Sequence, residues 1–162
     1  MKKQLTHLDE TGQAKMVNVG HKADTERVAV ARGSVLMQPE TLQLILDGQI
    51  KKGDVFSVAQ LAGIMAAKRT SELIPLCHPL LLNHIDVTCT ANTAENRVDI
   101  EATVRVSGKT GVEMEALTAV TVAGLAIYDM AKAVDRSMTL TEVHLIHKSG
   151  GQSGNWERST GV

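Results

Sequence analysis

Hydrophobic and polar positions alternate most regularly between residues 85 and 106. Every second position is apolar in the first half of this segment, at Ile85, Val87, Cys89 and Ala91. After a polar turn at residues 92–96, the alternation continues at Val98, Ile100, Ala102, Val104 and Val106. Period-two alternation is typical of strands with one buried face. The segment therefore predicts an antiparallel hairpin with one face in the core.

Three other segments have helical spacing of their apolar residues. Pro39 opens the first, which we expect to stop at Gly48. Asp54 is a candidate N-cap for the second, which extends to about Arg69. The third extends from Val112 to about residue 134 and is apolar on all sides, which predicts a helix buried on more than one face.

Two further strands complete the expected fold, one at residues 27–37 and one at residues 138–147. The order strand, two helices, two strands, helix, strand predicts an α+β, ferredoxin-like two-layer sandwich with an antiparallel four-stranded sheet and one inserted helix. We expect a single domain over residues 1–162. Residues 1–25 read as an irregular N-terminal arm, and residues 149–162 as a flexible Gly/Ser-rich tail.

Composition narrows the class of partners. The 17 basic and 18 acidic residues are mixed along the chain, and there are only three aromatic residues, so nothing favours a nucleic-acid partner. The polar N-terminus does not resemble a signal peptide, and no uninterrupted apolar run approaches the roughly 20 residues of a membrane span, so we expect no membrane partner. Two cysteines in no secreted pattern favour a cytoplasmic protein.

Cys77 and His78 lie between Pro75 and Pro79 in a segment that neither a helix interior nor a central strand would accept. Adjacent Cys and His could form a metal pair, but zinc ligands are normally separated by two to four residues and the sequence has no second such pair. No metal site is therefore predicted. A rigid turn with a hydrogen-bonded histidine is the favoured interpretation, and a general acid/base or a phosphate-facing imidazole is the alternative.

Charged residues at both ends of the third predicted helix are candidates for chemistry. Glu113 and Glu115 suit the helix dipole, and two positions apart they point about 200° away from each other, so they cannot share a proton. Asp129 and Lys132 lie on one face, either as an ordinary ion pair or as a functional one. Glu113 and Asp129 are separated by about 24 Å along the helix, so a site that uses both needs a second subunit.

Six motifs occur in order along most of the chain: Lys52–Phe56, Ala66–Thr70, Leu73–Leu80, Gly108–Ala119, Tyr128–Met130 with Lys132–Val134, and Lys148–Gly151. In these motifs the chain resembles the MoaC family of molybdenum-cofactor (molybdopterin) biosynthesis. The resemblance implies a phosphorus–oxygen lyase that takes 3′,8-cyclo-7,8-dihydro-GTP, the product of a radical-SAM GTP cyclase. It converts this nucleotide-derived small molecule to cyclic pyranopterin monophosphate and releases pyrophosphate. A catalytically silent binding module on the same scaffold is the alternative.

The resemblance also implies roles for individual residues. The catalytic residues would be Asp129, an acid/base, with Lys132 and Lys52. The substrate contacts would be Leu76, Cys77, His78, Glu113, Met114, Glu115 and Lys148, with Cys77 a wall of the site rather than a nucleophile. No cofactor is implied. The implied assembly is a homohexamer, a trimer of dimers, with active sites between subunits. The chain departs from the family pattern at Asn18, Ala131 and Gln152.

Overall fold

The computed structural model describes residues 11–159, so the beginning of the predicted arm and the last three residues of the predicted tail lie outside the described residues. The elements, in chain order, are β1 (Thr25–Leu36), α1 (Pro39–Leu46), α2 (Val55–Lys68), α3 (Thr70–Leu73), β2 (His84–Asn92), β3 (Arg97–Gly108), α4 (Glu113–Ala131), β4 (Thr139–Ser149) and β5 (Trp156–Glu157).

The strands form one antiparallel sheet in the order β2-β3-β1-β4-β5. Its first four strands have the order of a ferredoxin-like sheet, and α2 and α4 pack on one face of it. The predicted α+β sandwich is therefore confirmed. The predicted number of strands is wrong by one, because β5 pairs with β4 through Lys148 and His147. A two-residue strand in a Gly/Ser-rich segment has no alternation that a sequence could display.

Strand β3 follows the alternation of its sequence. Its inward residues are all buried, at Val98, Ile100, Ala102, Val104 and Val106, while its outward residues are charged or polar. The register pairs Ala102 with Ala31 of β1 and with Val87 of β2, both also buried. The predicted hairpin of β2 and β3 is therefore confirmed, with one face in the core.

The helix boundaries follow local chemistry. Pro39 stands at the first turn of α1, where its missing N–H costs nothing. The Asp54 side chain caps α2 by accepting the backbone N–H of Ser57 at 3.0 Å, as predicted. The short helix α3 was not predicted; four residues are too few to establish a helical period.

Small residues let the helices lie close together. A Cβ at Gly63 of α2 would stand 2.9 Å from the carbonyl oxygen of Ala119 in α4. The buried face of α4 itself consists largely of small residues, including Ala116, Ala119 and Ala123. With few aromatic side chains to fill space, the core depends on this close approach of backbones.

Helix α4 also has the length and mean apolarity of a membrane span, although charged and hydroxyl residues interrupt its apolar sequence. More than half of its residues are buried inside the domain, against α2 and strands β1, β3 and β4. A central core helix meets the same criteria of length and composition. Its apolarity follows from that burial.

Candidate active site

One cluster of charges lies at the C-terminal end of α4. Lys52 Nζ donates to the Asp129 carboxylate at 2.6 Å and to the Asp129 backbone carbonyl at 2.8 Å. Lys132 Nζ lies 2.7 Å from the other carboxylate oxygen. The three residues expected to be catalytic thus form one ion cluster, although Lys52 is 77 positions from Asp129 in sequence. Their catalytic role stays a prediction.

The geometry of this cluster comes from a turn and a helix face. Lys52 lies in the turn between α1 and α2, just before Gly53, whose φ of +106° suits a residue without a Cβ. All three side chains are about half exposed, between 47% and 56%. Hydrogen bonds from Lys132 and then Lys52 lower the pKa of Asp129 to about 2, and Asp129 in turn raises the pKa of Lys132. At neutral pH the cluster is therefore a carboxylate between two ammonium groups.

A cavity of about 310 Å³ lies at the other end of α4. Six of the seven predicted substrate contacts line it, all except Lys148, together with residues from the N-terminal arm and the turn before α4. The lining residues are Val17, Val19, Lys22, Leu76, Cys77, His78, Leu80, Thr110, Gly111, Glu113, Met114 and Glu115. We call it the ring cavity. The loop before β2 and the first turn of α4, distant in sequence, meet here.

Glu115 is the buried acid of the ring cavity, only 4% exposed. Burial raises its pKa to about 7, with a further increase from Glu113, so near neutral pH a substantial fraction is a neutral carboxylic acid. Burial and the proximity of Glu115 also raise the pKa of the Cys77 thiol. Cys77 is therefore a thiol rather than a thiolate, which fits a wall of the cavity better than a nucleophile.

The N-terminal arm forms one side of the ring cavity, held by two of its backbone carbonyls. His78 donates from Nε2 to the carbonyl of Val17 at 2.9 Å, and Lys109 Nζ donates to that of Gly20 at 2.9 Å. The favoured interpretation of His78, a hydrogen-bonded histidine in a rigid turn, agrees with this contact. Residues 75–80 contain neither helix nor strand, as predicted.

A second, smaller cavity of about 160 Å³ adjoins the first, and we call it the phosphate cavity. Four cationic side chains line it: Lys22, Arg27, Lys109 and Lys148. Arg27 is fixed by the turn before α4, donating from Nε to Gly108 O at 2.9 Å and from Nη2 to Lys109 O at 3.1 Å. Lys148, predicted as a contact, forms an ion pair with Glu113 at 2.7 Å.

Sequence reasoning did not identify Lys22, Arg27 and Lys109 as site residues. They lie in the arm, at the start of β1 and in the turn after β3, and no spacing relates them. The pairing of Thr25 with Gly108 at the ends of β1 and β3 is what brings Arg27 to the turn. That register could have been derived from the sequence only if the β1–β3 pairing had been known.

The described residues 11–159 contain no group of three or more His, Cys, Asp or Glu side chains that could hold a metal ion. A third cavity, of about 440 Å³, lies on the sheet face opposite the helices. Its arginines are already engaged by carboxylates: Arg32 with Glu101 at 2.7 Å, and Arg97 with Asp99 at 2.7 Å. None of the residues expected to be catalytic or to contact substrate lines this third cavity.

Similarity to known proteins agrees with this arrangement. The sequence profile of the MoaC family matches residues 16–151, which include every candidate residue described above. This chain belongs to the MoaC family. Three relatives called cyclic pyranopterin monophosphate synthase are similar to it over nearly the whole of both chains. The protein from Pelotomaculum thermopropionicum is 67% identical over 95% of this chain and 91% of its own length. The relative from Chloroflexus aurantiacus is 63% identical (96% and 95%), and that from Heliobacterium modesticaldum 58% (95% and 97%).

Proposed function

We propose that this MoaC-family protein is a lyase that converts 3′,8-cyclo-7,8-dihydro-GTP to cyclic pyranopterin monophosphate and releases pyrophosphate, in the cytoplasm and without a bound cofactor. The observation that carries the proposal is the adjacency of two cavities, one lined by four cations and one with a buried acid. A substrate with a triphosphate and a reactive ring needs both. The names of the relatives agree with this reaction.

The phosphate cavity supplies the charge that pyrophosphate release requires. Ammonium and guanidinium groups neutralise the negative charge that develops on the departing phosphates. Arg27 and Lys109 each donate hydrogen bonds to backbone carbonyls, so their positions are set before a ligand arrives. A cation that is already in place loses little side-chain entropy on binding.

The ring cavity supplies a buried carboxyl group, Glu115, that is partly protonated near neutral pH. Near pH 7 Glu115 can donate or accept, which matches a ring that both gains and loses protons as it opens and closes. Leu76, Cys77 and Met114 contribute apolar contact. Burial and the nearby Glu115 raise the pKa of Cys77, which favours the thiol form of this wall residue.

Proton transfer is assigned to the cluster of Lys52, Asp129 and Lys132. In the free protein Asp129, with a pKa of about 2, has no proton to give at neutral pH. The ammonium groups of the two lysines are therefore the proton donors, and the Asp129 carboxylate stays ionised and orients them. The amine that a donating lysine becomes takes a proton back from the substrate. This assignment refines the expectation that Asp129 is the acid/base, with Lys132 and Lys52 beside it.

The cluster and the cavities are at opposite ends of α4, so one copy of the chain does not hold a complete site. One face of α4 joins them through Met114, Leu117, Thr121, Leu125 and Asp129, spaced three or four residues apart. Leu125 is 52% exposed and Met114 37%. A second copy packed antiparallel on this face, with the two-fold axis near Thr121, would bring each Asp129 beside the other copy's Met114. We propose this dimer as the unit of a homohexamer.

The decisive assay for the reaction is incubation of the pure protein with enzymatically prepared 3′,8-cyclo-7,8-dihydro-GTP. Pyrophosphate and the pterin product are followed together. We expect both to appear. A folded oligomer that forms neither would favour the binding-module alternative.

The shared site is tested by mixing two inactive variants. Asp129→Asn disables the cluster at the C-terminal end of α4, and Lys148→Met disables the phosphate cavity. An oligomer made of either variant alone should therefore lose turnover. Co-expressed with different tags and purified as a mixed oligomer, they should regain a measurable part of the activity, because some sites then combine two intact halves. A mixed oligomer that stays inactive, or a monomeric mass by light scattering at micromolar concentration, would contradict the proposal.

A further inference from the structure

Glu113 lies where the ring cavity meets the phosphate cavity. Four residues line both cavities: Lys22, Thr110, Gly111 and Glu113. The Glu113 carboxylate accepts a hydrogen bond from Lys148 Nζ at 2.7 Å, and the two side chains are only 29% and 28% exposed. Every other charged side chain lining the phosphate cavity is cationic. A carboxylate of the chain therefore occupies one of the cations that a phosphate group would use.

The position of this carboxylate depends on Gly111. A Cβ on residue 111 would stand 2.7 Å from Glu113 Cδ and 2.8 Å from Oε1, and closer still to Oε2. Residue 111 has no positive φ, so its backbone conformation is open to alanine. Glycine at this position thus provides room for the Glu113 carboxylate rather than a special turn. A side chain here would push the carboxylate away from Lys148.

We propose that Glu113 is an exchangeable internal anion, held by Lys148 while the phosphate cavity is empty and displaced when a polyphosphate enters. The inference rests on the proposed function, since it concerns the same site. A polyphosphate can contact several of the cations Lys22, Arg27, Lys109 and Lys148 at once, whereas Glu113 contacts one. The polyphosphate therefore outcompetes a carboxylate whose single, partly exposed ion pair is weak.

Displacement gives Glu113 a second role as a specificity determinant. The carboxylate that leaves Lys148 is still at the wall of the ring cavity, where N–H groups of a bound ring can donate to it. A ligand that carries both phosphates and such a ring compensates for the broken ion pair. Inorganic polyphosphate breaks the same ion pair but has no N–H group that could donate to the displaced Glu113 carboxylate. Glu113 therefore selects the complete nucleotide-derived substrate over phosphate alone.

The test uses inorganic tripolyphosphate as the ligand and titration calorimetry on the full-length protein. Glu113→Gln removes the competing charge with little change of shape, so we expect tripolyphosphate to bind about fivefold more tightly, the equivalent of one weak ion pair. Gly111→Ala leaves the carboxylate but displaces it from Lys148, and should shift the affinity in the same direction. Glu157→Gln is the matched control. It makes the same change of charge at a side chain that is 81% exposed and lines neither cavity, so its affinity should equal that of the wild type.

The direction of the change in tripolyphosphate affinity distinguishes a Glu113 that is displaced by phosphate from a Glu113 that only positions Lys148. If Glu113 merely holds Lys148 in place, Glu113→Gln binds tripolyphosphate equally or more weakly, and the proposal is overturned. A Gly111→Ala variant that binds no more tightly than the wild type would overturn the steric part. Product formation from the complete substrate is measured separately. Turnover without any tripolyphosphate binding would sink this inference alone, and tighter binding by Glu113→Gln in a protein without turnover would sink the proposed reaction alone.

Discussion

Two carboxylates of one helix, Asp129 and Glu115, have opposite environments. Asp129, near the C-terminal end of α4, is 56% exposed in its side chain and hydrogen-bonded by two lysines, which lower its pKa to about 2. Glu115, in the first turn, is 4% exposed and its burial raises its pKa to about 7. The difference is one of surroundings alone, because burial favours the neutral form and nearby cations favour the ionised form. The same residue class thus supplies a permanent charge at one end and a titrating acid at the other.

The largest effect is expected from a substitution at Asp129, which removes the ionised carboxylate of the pair. We expect Asp129→Asn to keep the fold and the oligomer but to lose turnover by about 10²–10⁴-fold, the usual contribution of a positioned acid/base group. The amide leaves two ammonium groups without their shared anion. The measurement is the initial rate of pterin and pyrophosphate formation. Asp47→Asn, at the exposed C-cap of α1, is the matched control. Near-normal turnover of Asp129→Asn would remove this carboxylate from the mechanism.

The raised pKa of Glu115 predicts that the free energy of unfolding depends on pH, and Glu115→Gln tests this prediction. Because the folded state holds this proton up to about pH 7 while the unfolded state releases it near pH 4.5, the wild type loses free energy of unfolding as the pH rises between these values. The loss is complete above pH 7 and is about 3 kcal/mol in total, at about 1.4 kcal/mol for each unit of pKa difference. Glu115→Gln lacks this loss, so its stability relative to the wild type should rise by about 2 kcal/mol between pH 5 and pH 8, the part of the loss that falls in this range.

Urea unfolding at fixed protein concentration measures this difference, since an oligomer's stability depends on concentration. Glu72→Gln, an exposed position in α3, should run parallel to the wild type at both pH values. If the free energies of unfolding of the wild type and Glu115→Gln differ by the same amount at pH 5 and at pH 8, the pKa of Glu115 does not differ between the folded and unfolded states in this range.

Cys77→Ala should have the smallest effect. The thiol remains protonated because burial and Glu115 raise its pKa, so it offers no nucleophile. We expect turnover to fall by less than about tenfold, well below the loss typical of an acid/base group. Cys89→Ala, at a half-buried position in β2, is the control for removing a thiol. A loss as large as that of Asp129→Asn would make Cys77 a participant in the chemistry.

Much of the fold could be predicted because its signals are local. Alternation in β3, the Asp54 cap and Pro39 each act within a few residues, and each prediction is confirmed. The fifth strand and α3 could not be predicted, because two and four residues carry no period. The length of α4 was recognised, but its likeness to a membrane span was not.

The candidate site divides in the same way. Spacing placed Asp129 and Lys132 on one helix face, and the 2.7 Å contact agrees. Lys52 came from the family resemblance, since no local rule connects it to residues 77 positions away. The cations Lys22, Arg27 and Lys109 were missed. They converge only because β1 pairs with β3 and the arm is held by His78.

The sequence by itself determined the order of the longer elements, the buried face of the β2–β3 hairpin and the family to which the chain belongs, because periodicity, caps and motifs are written in consecutive residues. The tertiary structure decided which charges meet and how each is held. Whether a carboxylate stays ionised, like Asp129, or takes up a proton, like Glu115, depends on groups brought from distant segments and on the water they exclude. Strand pairing and helix packing decide which groups lie near a carboxylate and how much water reaches it. Neither property can be read from the carboxylate residue itself.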